Sequence, residues 1–236
     1  MVYLFAHRGG FDSGGPENTI AAFARALELG AALESDVRLS VDGVPVLVHD
    51  HQFSGSSLLP RRVRRLTVDR LERMGTLTLR RLYGELGSGF HLSLDLKDRD
   101  AGPATIAVAR EAGDVSRLWL VHDSIPLLQR LRRLAPDVRL MHETRLRDLA
   151  RTSTTPEANM DLLARWKVDA QNTHWAHWTP ALLDAAHQRG LLAFGSIAQE
   201  RSDMVRALGK GLDGLYTDHV ERLVGVAREL NLERTP

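Results

Sequence analysis

The sequence predicts an α/β protein folded as one (β/α)8 TIM barrel, with a short insertion after the second strand. Short apolar runs alternate with helical patterns along most of the 236 residues, and these strand–helix units number eight. Polar side chains follow nearly every apolar run. Eight units of this length favour a closed parallel barrel over an open sheet. The length also agrees with a single domain, which we expect to cover 1–236.

The first part of the chain holds clear strand and turn signals. Pro16, at a first-turn position, opens the first helical pattern, and Gly30 closes it. The dipeptide Asp42-Gly43 predicts a hairpin turn, because both residue types tolerate the positive φ angles of such turns. The predicted elements are a strand at 2–6, a helix at 16–30, a strand at 31–39 and a returning strand at 44–48.

Residues 51–90 are the least regular part of the chain, and we interpret them as the small insertion. They contain a Ser/Gly loop at 54–57, an arginine-rich segment at 61–65, and short helical stretches at 68–74 and 79–86.

From residue 91 onward, strand and helix patterns alternate regularly. The predicted strands are 91–96, 118–121, 138–141, 168–171, 191–197 and 214–217. The predicted helices are 101–112, 125–134, 157–166, 180–189, 200–208 and 220–230, with a polar loop at 144–156.

Composition excludes several classes of function. With 31 basic and 30 acidic side chains, no global charge attracts nucleic acid. The absence of cysteine excludes disulfides, zinc–thiolate sites and thiol nucleophiles. No apolar run approaches the roughly 18 residues of a membrane span, so we expect no transmembrane segment. The first residues show neither a basic lead nor a long apolar core, so we expect a cytoplasmic protein.

Chemically active side chains gather where the predicted strands end. In barrels of this kind the active site lies at the carboxyl ends of the strands. The polar residues at those ends are His7 and Arg8, Glu34 and Asp36, His49 and Asp50, Asp95 and Lys97, His122, His142 and Glu143, Asn172 and His174, and Asp218.

Three of these residues are carboxylates suited to a metal ion. Glu34 and Asp36 are two positions apart and therefore share one side of their strand. Asp95 ends the next barrel strand. Oxygen ligands without cysteine favour one hard divalent cation, Mg²⁺ or Ca²⁺, with Mn²⁺ also acceptable, over zinc. The alternative is a set of solvated carboxylates, or a structural ion pair with Lys97.

Two histidines and two cations complete the predicted site. His7 and His49 follow different strands of one rim and form a natural acid–base pair near neutral pH. Arg8 and Lys97 would neutralise an anion such as phosphate. Lys97 is one of only three lysines in the chain, which suggests a need for a compact ammonium there. Such a site could transfer a phosphoryl group between oxygens.

Six short motifs are spread along the chain: H-R-G at 7–9, P-E-N-T at 16–19, E-x-D at 34–36, D-G-x-x-V-x-x-H-D at 42–50, L-x-L-D-L-K at 92–97, and G-L-D-G-L-Y-T-D at 211–218. In this order and at similar spacing, they resemble the motifs of the glycerophosphodiester phosphodiesterase family, and the resemblance covers nearly the whole chain.

The resemblance implies an enzyme of lipid metabolism that hydrolyses glycerophosphodiesters, small molecules, to glycerol phosphate and an alcohol. A hydroxyl next to the phosphodiester would attack phosphorus to give a cyclic phosphate, which water then opens. The implied roles are catalysis by His7 and His49, metal binding by Glu34, Asp36 and Asp95, phosphate binding by Arg8 and Lys97, and support by Glu17, Asn18, Asp50 and His122.

The chain also departs from the family pattern. Asp95 stands where the family usually has glutamate, although related sphingomyelinase D-like lipases use aspartate there. Val121-His122 replaces the usual Ser-Phe, and Ser196-Ile197 replaces the usual Trp-Thr. These positions shape the pocket for the glycerol and head group, so the sequence leaves the substrate and its alcohol open.

Three alternative functions remain open at this point. A sphingomyelinase D-like or lysophospholipase D-type enzyme would act on lipid, with peripheral contact through the arginines at 61, 62, 64 and 65; a solvated helix edge is the other interpretation of that segment. A metal-dependent amidohydrolase would use His122, His142, His174 and Asp218, but lacks its usual H-x-H pair on the first strand. A barrel could also bind a phosphorylated ligand without turning it over.

Overall fold

A computed structural model describes residues 1–10, 15–53 and 61–235 and confirms the predicted barrel. The strands in chain order are β1 (Val2–His7), β2 (Ala32–Leu39), β3 (Pro45–Leu47), β4 (Gln52–Phe53), β5 (Arg61–Arg62), β6 (Leu77–Thr78), β7 (Leu92–Leu96), β8 (Leu118–His122), β9 (Arg139–Glu143), β10 (Ala170–His174), β11 (Leu192–Ser196), β12 (Gly214–Thr217) and β13 (Arg234–Thr235).

Helices follow the barrel strands and cover the outside of the sheet. They are α1 (Ile20–Glu28), α2 (Val68–Arg73), α3 (Leu79–Leu86), α4 (Gly102–Ala112), α5 (Ile125–Leu134), α6 (Leu146–Arg151), α7 (Pro156–Arg165), α8 (Pro180–Gln188), α9 (Arg201–Gly209) and α10 (Val220–Glu229). Within the described ranges, no helix is long and apolar enough to cross a membrane.

Parallel pairing closes the sheet into a barrel. The barrel strands follow the order β1-β2-β7-β8-β9-β10-β11-β12, and β12 returns to pair with β1. In this register Ala6 lies opposite Leu33 on one side and Thr217 on the other. The hairpin predicted at Asp42-Gly43 is present, because β3 runs antiparallel to β2 with Leu39 opposite Pro45. The ends of β1, β2 and β12 therefore lie side by side.

Large apolar side chains fill the barrel interior. Phe5, Trp119, Met141, Phe194 and Tyr216 belong to one buried cluster. The ring centroids of Phe5 and Tyr216 are 4.8 Å apart, and those of Trp119 and Phe194 are 5.3 Å apart. Because side chains alternate along a strand, the residue two positions further on faces the same way. His7, Glu143, Ser196 and Asp218 are such residues, so this apolar layer forms the floor beneath a polar rim.

The first helix begins later than the sequence predicts, so the prediction of a helix start at Pro16 is wrong. The helix α1 begins at Ile20, and the Thr19 side chain caps it by accepting a 3.2 Å hydrogen bond from the Ala22 amide. Asn18, just before the cap, has a φ of 55°. That left-handed conformation is incompatible with a continuous helix from Pro16.

Two other segments contain elements that the sequence did not predict, and one predicted loop lies where the structure gives no description. The polar loop expected at 144–156 contains α6, a short helix of six residues whose alternation of charged and apolar residues is too brief to read from sequence. The insertion contains β6, which pairs with β3, in addition to the two expected helices. The Ser/Gly loop predicted at 54–57 lies outside the described residues.

Candidate active site

A polar cavity of about 230 Å³ opens at the carboxyl ends of the barrel strands. It lies at the end of the barrel where sites of this fold form. Seven of the side chains that the sequence predicts for catalysis, metal binding or phosphate binding line it together. They are His7, Arg8, Glu34, Asp36, His49, Asp95 and Lys97.

A carboxylate from the end of the chain orients His7. The Nδ1 atom of His7 lies 2.6 Å from Oδ1 of Asp218, while its Nε2 atom lies 4.0 Å from Oε2 of Glu34. Burial acts to lower the pKa of His7, but the hydrogen bond with Asp218 and the charges of Glu34 and Asp218 outweigh it and raise that pKa. An acceptor at Nδ1 keeps the proton there, so Nε2 is presented to the cavity as a base.

Gln199 in turn fixes the Asp218 carboxylate. The Gln199 Oε1 atom accepts from the Asp218 backbone N–H at 3.1 Å and from the Thr217 hydroxyl at 3.2 Å. The amide nitrogen of Gln199 therefore faces the other way and donates to Oδ2 of Asp218. The Asp218 carboxylate therefore accepts from Gln199 on one oxygen and from the Nδ1–H of His7 on the other, which fixes its orientation.

Arg8 lies in a tight turn directly after His7. Its φ is 53°, and Gly9 and Gly10 follow with φ of 89° and 78°. A Cβ at Gly9 would lie 2.8 Å from the Ala22 Cβ, so the turn packs directly against α1. Non-glycine residues held at positive φ cost free energy and are typical of functional sites. The turn directs the Arg8 side chain towards Asp36, with Nε 3.1 Å from Oδ2, although the two atoms are not aligned for a hydrogen bond.

Two of the predicted supporting residues hold this turn. Asn18 donates its backbone N–H to the Arg8 carbonyl at 2.9 Å, and its buried side chain accepts from Ser35 at 2.6 Å. Glu17 accepts from Nη1 of Arg8 at 3.2 Å. Both residues therefore act on the position of Arg8, the predicted phosphate ligand.

Lys97 lies between two carboxylates. Its Nζ atom is 2.5 Å from Oδ2 of Asp95 and 3.0 Å from Oδ1 of Asp36. Among the described residues no Lys or Arg side chain forms an ion pair with Glu34, whose neighbours are Nε2 of His7 at 4.0 Å and the backbone N–H of Arg8 at 3.0 Å. Burial, together with the charges of Asp36 and Asp95, raises the pKa of the Glu34 carboxyl to about 8, against the opposing effect of His7. The structural ion pair left open by the sequence is thus present for Asp36 and Asp95, whereas Glu34 faces the His7 ring.

The three carboxylates fit a divalent cation by their chemistry. In the part of the chain that the structure describes, no three His, Asp or Glu side chains already form a metal-ligand set. The buried Glu34 nevertheless faces two further carboxylates, and the buried Oδ2 atom of Asp36, 3.1 Å from Nε of Arg8, makes no hydrogen bond with any described residue. Closely spaced carboxylate oxygens with an unfilled hydrogen-bonding position suit a hard cation. Glu34, Asp36 and Asp95 are the residues that could hold it.

His49 reaches the cavity from the loop that follows β3. The Val48 backbone N–H donates to the Asp36 carbonyl at 2.9 Å, which ties this loop to β2. The His49 Nδ1 atom lies 2.9 Å from Oδ1 of Asp50, and the ring is 41% exposed. The hydrogen bond from His49 lowers the pKa of the Asp50 carboxyl. Asp50 therefore supports His49 at the solvent edge of the site.

Two histidines at the strand ends do not line the cavity. The Nδ1 atom of His122 accepts from the Ser124 backbone N–H at 2.8 Å, so the structure places this predicted supporting residue at the start of α5. His142 is buried, with Nε2 2.9 Å from the Asp123 carbonyl and Nδ1 2.6 Å from the Thr144 hydroxyl. Neither side chain lines the cavity, although the charges of Asp95 and Lys97 act on the pKa of His122, which burial lowers.

The burial of His142 makes stability depend on pH. Burial lowers its pKa from 6.5 to about 4, so the unfolded chain binds a proton before the folded one does. We expect the free energy of unfolding to fall as the pH is lowered through this window, by at most about 3 kcal/mol. Denaturant titrations at several pH values should show a smaller decline in His142→Gln. An equal decline in both proteins would contradict the assignment, and His187→Gln, on the exposed surface of α8, is the matched control.

The structure also gives a place in or beside the cavity to residues that had no assigned role in the predicted phosphodiesterase site, although Asp218, Glu143 and Asn172 were expected at strand ends. Asp218 and Gln199 orient His7, while Glu143, Asn172 and Tyr216 line the far wall. The Oδ1 atom of Asn172 is buried without a hydrogen-bond partner. Asp218 is the last residue of the motif at 211–218, so the sequence offered a signal from which its role could have been predicted. Gln199 lies in no recognised motif, and no sequence signal indicates it.

Comparison with known proteins gives concordant matches. The profile of the glycerophosphoryl diester phosphodiesterase family matches residues 7–98. A glycerophosphodiester phosphodiesterase of Caldanaerobacter subterraneus subsp. tengcongensis is 25% identical, covering 96% of this chain and 98% of the relative. A crystal structure of glycerophosphodiester phosphodiesterase from Thermotoga maritima has a TM-score of 0.82 at 21% identity, covering 96% of this chain and 98% of that one. An Oleispira antarctica phosphodiesterase, solved with the product sn-glycerol-3-phosphate, has a TM-score of 0.80 at 20% identity, covering 96% of each chain.

The fold and the cavity define a class of protein. It is a parallel barrel with paired histidines, clustered carboxylates and two cations at the carboxyl ends of its strands. The family profile over residues 7–98 and the relative that is 25% identical over nearly the whole chain make this protein similar to the glycerophosphodiester phosphodiesterases.

Proposed function

We propose that this protein hydrolyses glycerophosphodiesters to glycerol phosphate and an alcohol, with His7 and His49 as the acid–base pair. The observation that carries the proposal is that both histidines line one small cavity with Arg8 and Lys97. Two imidazole rings beside two fixed cations can exchange protons with an anionic ester held between them.

The reaction proceeds in two stages. One histidine removes the proton from the hydroxyl next to the phosphodiester, and that oxygen forms a bond to phosphorus. The bond from phosphorus to the alcohol breaks, and the other histidine gives the departing oxygen its proton. Water then opens the cyclic phosphate with the proton transfers reversed, which returns both histidines to their starting states. His7 and His49 divide these tasks between them.

The cations of the chain hold the phosphate. Arg8 and Lys97 each contact a carboxylate, and this negative charge favours the protonated form of both side chains. Both are therefore positively charged before the substrate binds. Burial acts to lower the pKa of Lys97, but Asp95 and Asp36 outweigh it and raise that pKa, which keeps the ammonium charged. Preorganised donors of this kind stabilise the charge that grows on the phosphorus oxygens.

Glu34, Asp36 and Asp95 would hold one divalent cation, Mg²⁺, Ca²⁺ or Mn²⁺. When bound, such a cation acts as a Lewis acid that withdraws charge from the phosphoryl oxygens. The cavity of about 230 Å³ suits a small polar diester better than a long lipid chain. The complex of the Oleispira antarctica phosphodiesterase with sn-glycerol-3-phosphate supports a glycerol phosphate product in a barrel of this fold.

A substrate panel with and without chelator tests the proposal. We expect release of glycerol phosphate and an alcohol from at least one glycerophosphodiester, loss of that activity with chelator, and recovery with Mg²⁺, Ca²⁺ or Mn²⁺. The alcohol released identifies the preferred head group. Activity that is indifferent to chelator would overturn the three-carboxylate metal site.

The same assay separates the alternative functions. No turnover of any diester with all three cations supplied would favour a barrel that only binds a phosphorylated ligand. Turnover of lysophospholipid or sphingophospholipid in place of water-soluble diesters, with pelleting on liposomes at low salt, would favour the lipid-directed alternative. The amidohydrolase alternative has less support, because neither His122 nor His142 lines the cavity.

A further inference from the structure

An arginine outside the cavity lining holds the loop that carries His49. Arg38 lies on β2, two residues beyond Asp36, and its side chain is only 14% exposed. Its Nε and Nη2 atoms both donate to the His49 carbonyl, at 3.0 Å and 2.8 Å. The planar guanidinium fork makes such a paired contact, whereas the point charge of a lysine could not reproduce it.

A buried carboxylate fixes Arg38 from the other side. Its Nη1 atom donates to Oδ1 of Asp98 at 3.2 Å, and Oδ2 of Asp98 accepts from the Leu39 backbone N–H at 2.9 Å. Asp98 is 7% exposed and directly follows Lys97 in the chain. The contact between Arg38 and Asp98 therefore joins the loop of His49 to the end of the strand that delivers Asp95 and Lys97.

Two further anchors of this loop in the described part of the chain lie on either side of His49. Val48 donates to the Asp36 carbonyl at 2.9 Å, and the His51 carbonyl accepts from Val63 at 3.0 Å. Among the described residues, the His49 ring has a hydrogen bond with Asp50 alone, and the Asp50 side chain is itself 77% exposed. The position of the ring therefore depends on its backbone, which Arg38 clamps.

We propose that Arg38 is a positioning residue that holds His49 at the distance and angle required for proton transfer. Arg38 does not line the cavity, so it acts through His49 and not on the substrate. This inference rests on the proposed function, in which His49 exchanges a proton with the diester. A displacement of a catalytic group by about 1 Å can cost on the order of 10²-fold in rate.

Arg132 offers a matched control at the opposite end of the barrel. Its Nη1 atom donates to the carbonyls of Pro136 and Val138, both at 2.8 Å, and its Nη2 atom lies 2.5 Å from Oδ2 of Asp169. That same oxygen accepts from the Leu140 backbone N–H at 2.7 Å. These contacts precede β9 and β10 at their amino ends, and the Arg132 side chain is 15% exposed. The two arginines thus make equivalent clamps, one near the site and one far from it.

The test compares Arg38→Ala with Arg132→Ala on a water-soluble glycerophosphodiester at saturating divalent cation. We expect similar losses in melting temperature for both variants. We expect kcat of Arg38→Ala to fall about 10- to 100-fold with KM changed less than about threefold, and kcat of Arg132→Ala to stay within about twofold of the wild type. Added guanidinium ion should restore part of the kcat lost in Arg38→Ala and leave Arg132→Ala unchanged.

Specific results would overturn the inference. Wild-type kcat in Arg38→Ala, or an equal loss of kcat in both variants, would show that Arg38 has no positioning role. If Arg38→Ala does not fold, Arg38→Lys keeps a cation beside Asp98 but only one donor for the His49 carbonyl, and its kcat should be reduced at unchanged melting temperature. A wild type inactive on every diester refutes the proposed function, whereas an active wild type with an equally active Arg38→Ala refutes only this inference.

Discussion

Replacement of either His7 or His49 with alanine should remove most turnover and leave divalent-cation binding intact. General acid–base catalysis by one positioned side chain contributes about 10²- to 10⁴-fold, so we expect a loss of kcat in that range for each variant. Binding of Mn²⁺, measured by calorimetry or electron paramagnetic resonance, should be unchanged, because Glu34, Asp36 and Asp95 remain.

His187 provides the control for these two variants. Its Nε2 atom lies 2.7 Å from Oδ2 of Asp213, so it resembles His7 in having a carboxylate partner, but it lies on α8 away from the cavity. His187→Ala should therefore retain full activity. Near-normal kcat in either His7→Ala or His49→Ala would refute the acid–base assignment.

The second large effect is expected for Asp218→Asn, whose kcat should fall on the order of 10³-fold while KM changes little. Gln199 is held with its amide nitrogen towards position 218, because its Oε1 atom accepts from the backbone N–H there. The asparagine oxygen must then face Gln199, and the asparagine NH₂ must face Nδ1 of His7. The proton of His7 moves to Nε2, which can no longer act as a base.

A compensating substitution makes this prediction specific. In the double variant Asp218→Asn with Gln199→Glu, the amide and the carboxylate exchange places at constant total charge. The asparagine NH₂ can now face the carboxylate introduced at position 199, and the asparagine oxygen can accept from Nδ1 of His7. We expect the double variant to regain at least about tenfold of the lost kcat. Steady-state kinetics of the wild type, both single variants and the double variant test this, and simple additivity of the two losses would contradict the tautomer argument.

The fold was predictable because each barrel strand is a short apolar run with a distinct helix after it. The pattern from residue 91 onward places each of the six barrel strands after that point within a few residues of its position in the structure. The start of α1 was not predictable in the same way, because the left-handed φ of Asn18 depends on the turn at Arg8, a tertiary contact. The short helix α6 likewise gives too few residues for a period to show.

The site was predictable where its residues follow strands, and not where they act through another residue. His7, Glu34, Asp36, Asp95 and Lys97 stand at strand ends, so topology alone brings them to one rim. Gln199 and Arg38 act by hydrogen bonds to a carboxylate and to a backbone carbonyl, which no residue pattern reveals. His122 and His142 also end strands, but their neighbours Val121 and Glu143 line the cavity. Because side chains alternate along a strand, the two histidines point to the other side of the sheet.

The pairing of β1 with β12 has a consequence for how the protein becomes active. His7 and Asp218 are 211 positions apart in the chain, yet they share one hydrogen bond. Contacts of such long sequence separation form only when nearly the entire chain is available, and they slow folding. A chain still emerging from the ribosome can hold His7, His49 and all three carboxylates and still lack the partner that orients His7. Catalytic competence should therefore arise last, when the final strand closes the barrel, and it reports on the completion of folding.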